Sequence, residues 1–305
     1  MKDYQNLVEG SILVEIIDTY AEAFEGLVTQ LLVTAKTEAL LKSAVYSFTA
    51  LPSTVFNDAE GGIVRWVNPK ETPDGRPGAV VQLWVLGSGK KAVANLEDKL
   101  GRRTRQGILV VPTTAVFNAL ESKNEFNMMK TVGHCGDGYE WTVDYKGREM
   151  INVPIMMGHD FLIEHYLGYQ EGIMGGNLWL FCESVDAGLE AGQKGVDAIL
   201  EIDGAITSFG ICSAGSKPET NFPEIGPSTN HWFCPTLKDK IEGSKVPDGI
   251  KSIPEIVIDG LDMTTVKKAM KAAIDAMQDV KGLRTISAGN YDGKLGKYKI
   301  YLKDL

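Results

Sequence analysis

The stretch Ile253-Pro-Glu-Ile-Val-Ile-Asp-Gly-Leu-Asp-Met-Thr-Thr-Val-Lys-Lys-Ala-Met-Lys-Ala-Ala-Ile-Asp-Ala-Met277, followed by Arg284-Thr-Ile-Ser287, sets the fold class. Its first residues are β-branched and apolar around a single Glu255, which predicts a strand over Ile253–Ile258. Beyond Asp262 the period changes. Val266, Ala269, Met270, Ala273, Ile274 and Met277 recur at i, i+3, i+4, i+7, i+8 and i+11, the spacing of one helical face. A helix over Thr264–Met277 follows, with Asp262 as its N-cap. Arg284–Ser287 then reads as a second strand.

Working back toward the N-terminus, Leu178–Cys182 reads as a strand, Ala187–Leu200 as a helix and Ala205–Cys212 as a strand. The second half therefore runs βαββαβ. The first half repeats that order, with strands at Leu31–Thr34, near Thr54-Val55-Phe56, at Val80–Leu86 and at Ile108–Val111. Its helices fall at Thr37–Leu51 and around Lys90–Leu100. Two such units imply an α+β protein of two ferredoxin-like lobes, each with helices on one face of an antiparallel sheet. Regular patterning lapses over Met150–Gly158, around Pro154. The expected division is residues 1–152 and 153–305.

The chain has 305 residues, 44% hydrophobic and 23% charged, enough for about two domains with real cores. A formal charge of −9 argues against nucleic acid, because phosphate contacts need clustered Lys and Arg. Arg102, Arg103 and Arg105 come nearest to a basic cluster and read as a solvated helix end. No run approaches the roughly 18 uncharged apolar residues of a membrane span. The apolar run Ile12-Leu13-Val14 is broken by Glu15, so no signal peptide is visible. Cys135, Cys182, Cys212 and Cys234 are scattered, as in a protein of a reducing compartment, and the cytoplasm is the expected location.

Several chemistries are excluded by spacing. Gly87-Ser-Gly-Lys90 lacks a phosphate loop's first glycine, which is Trp84 here, and its Ser or Thr, which is Lys91. No strand–GxGxxG–helix fingerprint and no Gly-x-Ser-x-Gly elbow occur. Neither His134-Cys135 nor His231-x-x-Cys234 has a zinc ligand set beside it, so no metal site is expected. What remains are glycine- and proline-rich polar loops, each of which alone reads as a turn.

Taken in order, these stretches resemble the formylmethanofuran:tetrahydromethanopterin formyltransferase family, from Asp18 to the C-terminus. The resemblance is carried by Asp18-Thr-Tyr-Ala-Glu-Ala-Phe-Glu25, Glu71-Thr-Pro-Asp-Gly-Arg-Pro-Gly78 and Gly136-Asp-Gly-Tyr139. It continues through Gly175-Gly-Asn177, Ser228-Thr-Asn230, Glu255-Ile-Val-Ile-Asp-Gly-Leu261, Ile286-Ser-Ala-Gly-Asn290 and Lys294-Leu-Gly296. The chain departs from the family at Asp292, at His134-Cys135 and in a shortened Phe209–Phe222 stretch. The resemblance implies formyl transfer between two coenzyme substrates, methanofuran and tetrahydromethanopterin, with no tightly bound cofactor or metal. It also implies a homo-oligomer, typically a tetramer. Two alternatives stay open: a bacterial-type subunit working beside a hydrolase, and a diverged paralogue that binds coenzyme without transferring anything.

Formyl transfer between nitrogens passes through a tetrahedral oxyanion and needs positioning, charge stabilisation and a proton shuttle. The resemblance assigns the shuttle to Glu255, whose apolar strand neighbours should desolvate its carboxyl. Ser228, Thr229 and Asn230 are candidates for hydrogen bonds to the pterin or the formyl oxygen. Backbone groups at Gly175, Gly176 or Gly289 are candidates for the oxyanion, with Asn290 beside them. Arg76, Lys217 and Lys294 are candidates for pairing with methanofuran's acidic tail.

Overall fold

The computed structural model describes residues 14–305; Ile12 and Leu13 of the apolar run lie outside the described residues. Among the described residues, four α-helices and one fourteen-stranded sheet make a mixed α/β fold, with a separate two-stranded ribbon. In chain order the first unit comprises β1 (Tyr20–Thr34), α1 (Glu38–Thr49), β2 (Ala59–Val67), β3 (Gly78–Leu86), α2 (Gly89–Arg103) and β4 (Ala115–Asn118). The second comprises β5 (Tyr166–Cys182), α3 (Val185–Leu200), β6 (Ala205–Ile206), β7 (Glu255–Gly260), α4 (Met263–Ala276) and β8 (Leu283–Ser287), and β9 (Tyr298–Tyr301) follows. Within the units the strands lie in the orders β4-β1-β3-β2 and β8-β5-β7-β6, every pairing antiparallel.

The two units share one sheet instead of holding one each. β1 and β5 have 15 and 17 residues, long enough to pair inside their own unit and with each other, from Tyr169↔Thr29 to Met174↔Phe24. The sheet is not wholly antiparallel. Glu15–Ile16 pairs parallel to β8, and β4 pairs parallel to the strand Asp160–Glu164. β9 returns to the start of the chain and pairs with Tyr20–Ala23 of β1.

The helices form for local reasons. Asp262 accepts the Thr265 N–H at 2.7 Å, and Val266, Ala269, Met270, Ala273 and Ile274 of α4 are buried. Burying each of the larger of these side chains stabilises the fold by roughly 1.5–3 kcal/mol, which the N-cap raises by about 1 kcal/mol. α3 approaches closely because it carries glycine on its inner face. A Cβ at Gly192 would lie 2.8 Å from Ile211, and one at Gly195 would lie 2.7 Å from Ile256.

Two main hydrophobic clusters lie under these helices. The first joins α1, α2 and the faces of β1 and β3, and takes Phe161, Ile163 and Leu167 from beyond residue 152. The second joins α3, α4, β7 and β8, and takes Val14, Ala21 and Ala23 from the start of the chain.

Three expected strands take other forms. Thr54–Phe56 is a 3-10 turn, closed by Ser53 against Asp58 and by Asn57 in the left-handed region at φ 58°; the strand begins at Ala59. The segment expected as Ile108–Val111 continues α2 as a π-helix, Thr104–Leu109, where Gly107 lets the backbone lie against Phe48. Only Ala205–Ile206 of the expected Ala205–Cys212 strand is extended in the sheet; Cys212 returns to it as a single bridge to Glu255. Nor is Arg103 merely a solvated helix end. Its guanidinium donates to the carbonyls of Phe48, Ala50, Leu51 and Ala59 around the C-terminus of α1.

Candidate active site

Strand alternation decides what β7 shows to each side. Ile256 and Ile258 enter the second core, while Glu255, Val257 and Asp259 face the other way. The register places Trp179 of β5 opposite Glu255 and Asn177 opposite Val257. Trp179 Nε1 and Asn177 Nδ2 each donate to Glu255 Oε1 at 3.0 Å. Gly289 N–H fixes the Asn177 amide by donating to its Oδ1 at 3.0 Å. Burial pushes the Glu255 carboxyl above its ordinary range, and the bonds from Trp179, Asn177 and Cys212 oppose that rise. It borders a cavity of about 250 Å³.

Glu60 also borders this cavity, and the buried Asp259 lies against it. Glu60, from the first residues of β2, is 4% exposed, and Asp259 is 1% exposed. Asp259 accepts Gly175 N–H at 3.0 Å and Ser208 Oγ–H at 3.3 Å, and Thr54 Oγ1 donates to Glu60. Burial, then the adjacent Glu60, hold Asp259 protonated well above the usual carboxylate range. Glu22 behaves in the opposite way. Burial would raise its carboxyl, but the N–H groups of Tyr291, Gly293, Leu295 and Gly296 outweigh burial and hold it below the ordinary range. Those four bonds shape the loop that carries Tyr291. Burial and the nearby carboxyls push the Tyr291 phenol up to about 12, and it donates to the Ser216 carbonyl at 2.8 Å.

The structure divides the sequence candidates. Glu255, Lys217, Gly175 and Gly289 border this cavity. Asn230, Asn290 and Lys294 border a neighbouring one, whose wall also includes Lys217 and Tyr291. The oxyanion assignment of the glycines needs correction, because Gly175 N–H is taken by Asp259 and Gly289 N–H by Asn177. Gly176 faces α4, where a Cβ would meet Val266 at 2.6 Å. Ser228 and Thr229 do not reach either cavity. They pair with Lys217 and Ser216 in a two-stranded ribbon and so hold Lys217 in place.

Arg76 also stands apart. It is consumed by Asp74, Thr34 and the Thr113 carbonyl, and clamps the loop between β2 and β3. Asn177, Asp259 and Tyr291 lie inside or beside the quoted motifs without having been singled out. Trp179 and Glu60 had no local signal.

The family model described as "Formylmethanofuran-tetrahydromethanopterin formyltransferase" matches residues 11–155, and the model "FTR, proximal lobe" matches residues 159–305. The chain belongs to this family. Within it, the chain is 61% identical to a formylmethanofuran–tetrahydromethanopterin formyltransferase-like protein of Archaeoglobus fulgidus over 292 residues, 96% of each chain. It is 43% identical to the formylmethanofuran–tetrahydromethanopterin formyltransferase of Methanosarcina mazei, over 96% of this chain and 98% of that one. The solved formyltransferase of Methanosarcina barkeri superposes with a TM-score of 0.87 at 42% identity, covering 95% of this chain and 98% of that one. The formyltransferase/hydrolase complex of Methylorubrum extorquens, solved with methylofuran, contains a chain that superposes with a TM-score of 0.87 at 33% identity, over 95% and 96% of the two chains.

Proposed function

We propose that this chain moves a formyl group between formylmethanofuran and N5 of tetrahydromethanopterin. The observation that carries the reading is the Glu255 carboxyl, buried at a strand end, raised in pKa and held by two N–H donors beside a cavity. In the forward direction N5 attacks the formyl carbon, and its C=O electrons move onto oxygen. Glu255 takes the N5 proton and passes it to the methanofuran nitrogen. The C–N bond to methanofuran then breaks, the oxyanion re-forms C=O, and the amine leaves neutral. No covalent enzyme intermediate is needed, and the formyl carbon keeps its oxidation state. Methanofuran and tetrahydromethanopterin are then the coenzyme substrates, with no cofactor retained between turnovers, in a cytoplasmic one-carbon pathway.

Two ferredoxin-like lobes, residues 1–152 and 153–305, go with this reading, supported by the strand orders β4-β1-β3-β2 and β8-β5-β7-β6. A homo-oligomer, a tetramer in its usual form, is supported by the exposed Phe56, Phe222 and Ile225, three large apolar side chains from segments near the cavity. Lys217 and Lys294 are the cations offered to the acidic tail of methanofuran. One observation favours a second reading, a diverged coenzyme-binding paralogue: the relative at 61% identity is named formyltransferase-like. Mixing the purified protein with both coenzymes and following 5-formyl product by absorbance decides between them. Product formation supports transfer, and binding without product supports the paralogue.

A further inference from the structure

The long strand β5 changes partners part-way along. It pairs with β1 from Tyr169 to Met174 and with β8 from Trp179 to Cys182. Between those stretches its register with β7 slips. Ile173 stands opposite Gly260 and Gly176 opposite Ile258, so Met174 and Gly175 together face the single residue Asp259. Two residues against one make a β-bulge. Gly175 supplies the backbone for it, at φ 86° in the left-handed region.

This bulge decides which way the rest of the strand points. Side chains on a strand alternate between faces with a period of two. Ahead of the bulge, Ile173 enters the second core, while Met174 packs on the other face with Trp84. Beyond it, Gly176 faces Val266 of α4, and Leu178 and Leu180 enter the second core. The inward positions have changed from odd to even. Without the extra residue, Asn177 and Trp179 would fall on the face of Ile173, and Glu255 would lose both of its donors.

A single side chain holds the bulge. Asp259 Oδ1 accepts the Gly175 N–H at 3.0 Å, and Oδ2 accepts from Ser208 Oγ at 3.3 Å. Asp259 also bonds Glu60 of β2, which ties the bulge to the first unit. At 1% exposure it has almost no surface to offer a ligand, so its bonds act on the chain itself.

We propose that Asp259 is a positioning residue: by accepting the Gly175 N–H it fixes the bulge, and the bulge aims Asn177 and Trp179 at the Glu255 carboxyl. The aiming of the donors rests on the strand register, and its effect on turnover rests on the formyl-transfer reading.

Nuclear magnetic resonance of protein carrying isotope-labelled tryptophan tests this, with Trp179→Phe assigning the Trp179 indole N–H among the five tryptophans. In the wild type that resonance should titrate with Glu255, its acceptor; a resonance that does not titrate overturns the proposal. Asp259→Leu removes the acceptor for Gly175, so the resonance should shift and lose the titration, and kcat should fall about ten- to a hundredfold. Asp259→Asn keeps an acceptor for Gly175 and a donor toward Glu60, and should recover both readouts. Gly175→Ala loosens the bulge from the other side, because a Cβ resists φ 86° and would lie 3.0 Å from Phe24, and it should disturb the resonance as Asp259→Leu does. A wild-type titration in whichever of these two folds, or no recovery in Asp259→Asn, overturns the proposal. If the wild type makes no 5-formyl product, the formyl-transfer reading fails and the tryptophan resonance alone decides the positioning.

Discussion

Replacing Glu255 by Gln changes one property of the site and leaves its geometry in place. An amide oxygen can accept both the Trp179 Nε1–H and Asn177 Nδ2–H bonds that Glu255 Oε1 receives, each at 3.0 Å. The amide nitrogen takes the volume of the second carboxyl oxygen, so the cavity keeps its shape. What disappears is the exchangeable proton. General acid–base help is worth about 10²- to 10⁴-fold, which is a barrier increase of about 3–5 kcal/mol. We therefore expect kcat to fall at least about 100-fold, with binding of both coenzymes retained. The limb of the kcat–pH profile set by Glu255 should lie above the ordinary Glu range in the wild type and be absent from the variant, because burial raises that carboxyl. The assay is initial-rate absorbance of 5-formyl product across pH, beside calorimetric Kd values and a thermal melt. A folded Glu255→Gln protein with kcat within a few-fold of wild type would refute the proton-shuttle argument.

Three further outcomes follow from the same geometry. Trp179→Phe removes a donor that favours the ionised form of Glu255, so the Glu255 limb of the kcat–pH profile should move to higher pH; an unmoved or lowered limb contradicts this. Asp259 has a folded pKa raised above its unfolded value, so the folded state binds the extra proton and stability falls as pH rises through that window. Asp259→Asn should therefore gain stability over wild type as pH rises above the ordinary carboxylate range, by at most about 1.4 kcal/mol per pH unit, read by denaturant titrations at a series of pH values. Arg103→Met withdraws the donor from three carbonyls at or just past the end of α1 and one at the start of β2, and should cost about 1–3 kcal/mol in the same titrations.

The helices were legible because each follows a 3.6-residue apolar period with a polar start, as α4 does after Asp262. The strands flanking them were legible in place but not in length. β1 and β5 extend far beyond the predicted Leu31–Thr34 and Leu178–Cys182, because their outer residues pair across units and no local pattern encodes a partner more than 100 positions away. Thr54–Phe56 has strand-like composition, yet Asn57 in the left-handed region turns the chain there.

The site divides in the same manner. Glu255 stood out as a carboxyl in an apolar strand. Its partners Asn177 and Trp179 come from β5, so only the sheet register brings them to it, and Glu60 of β2 reaches the same cavity through the fold alone. The glycine-rich motifs point to the oxyanion, but the N–H groups of Gly175 and Gly289 are already spent on Asp259 and Asn177, and sequence carries no record of which donors are free.

The carboxylate of Glu22 gathers four N–H groups from residues 291–296, and β9 closes against the first residues of β1. For a protein made from its N-terminus forward, this delays assembly. When Glu22 is added to the nascent chain, the segment it must organise lies some 270 residues short of synthesis. The nascent chain can bury α1 and α2 against β1 early, but Ala21 and Ala23 wait for the second core and Glu22 waits for its loop. A chain stalled before Tyr298 would carry Glu255, Asn177 and Trp179 yet lack the strand that anchors the loop bearing Tyr291. Completion of the loop bearing Tyr291 thus waits for β9, and a copy without Tyr298–Tyr301 holds Glu255 in an unfinished pocket.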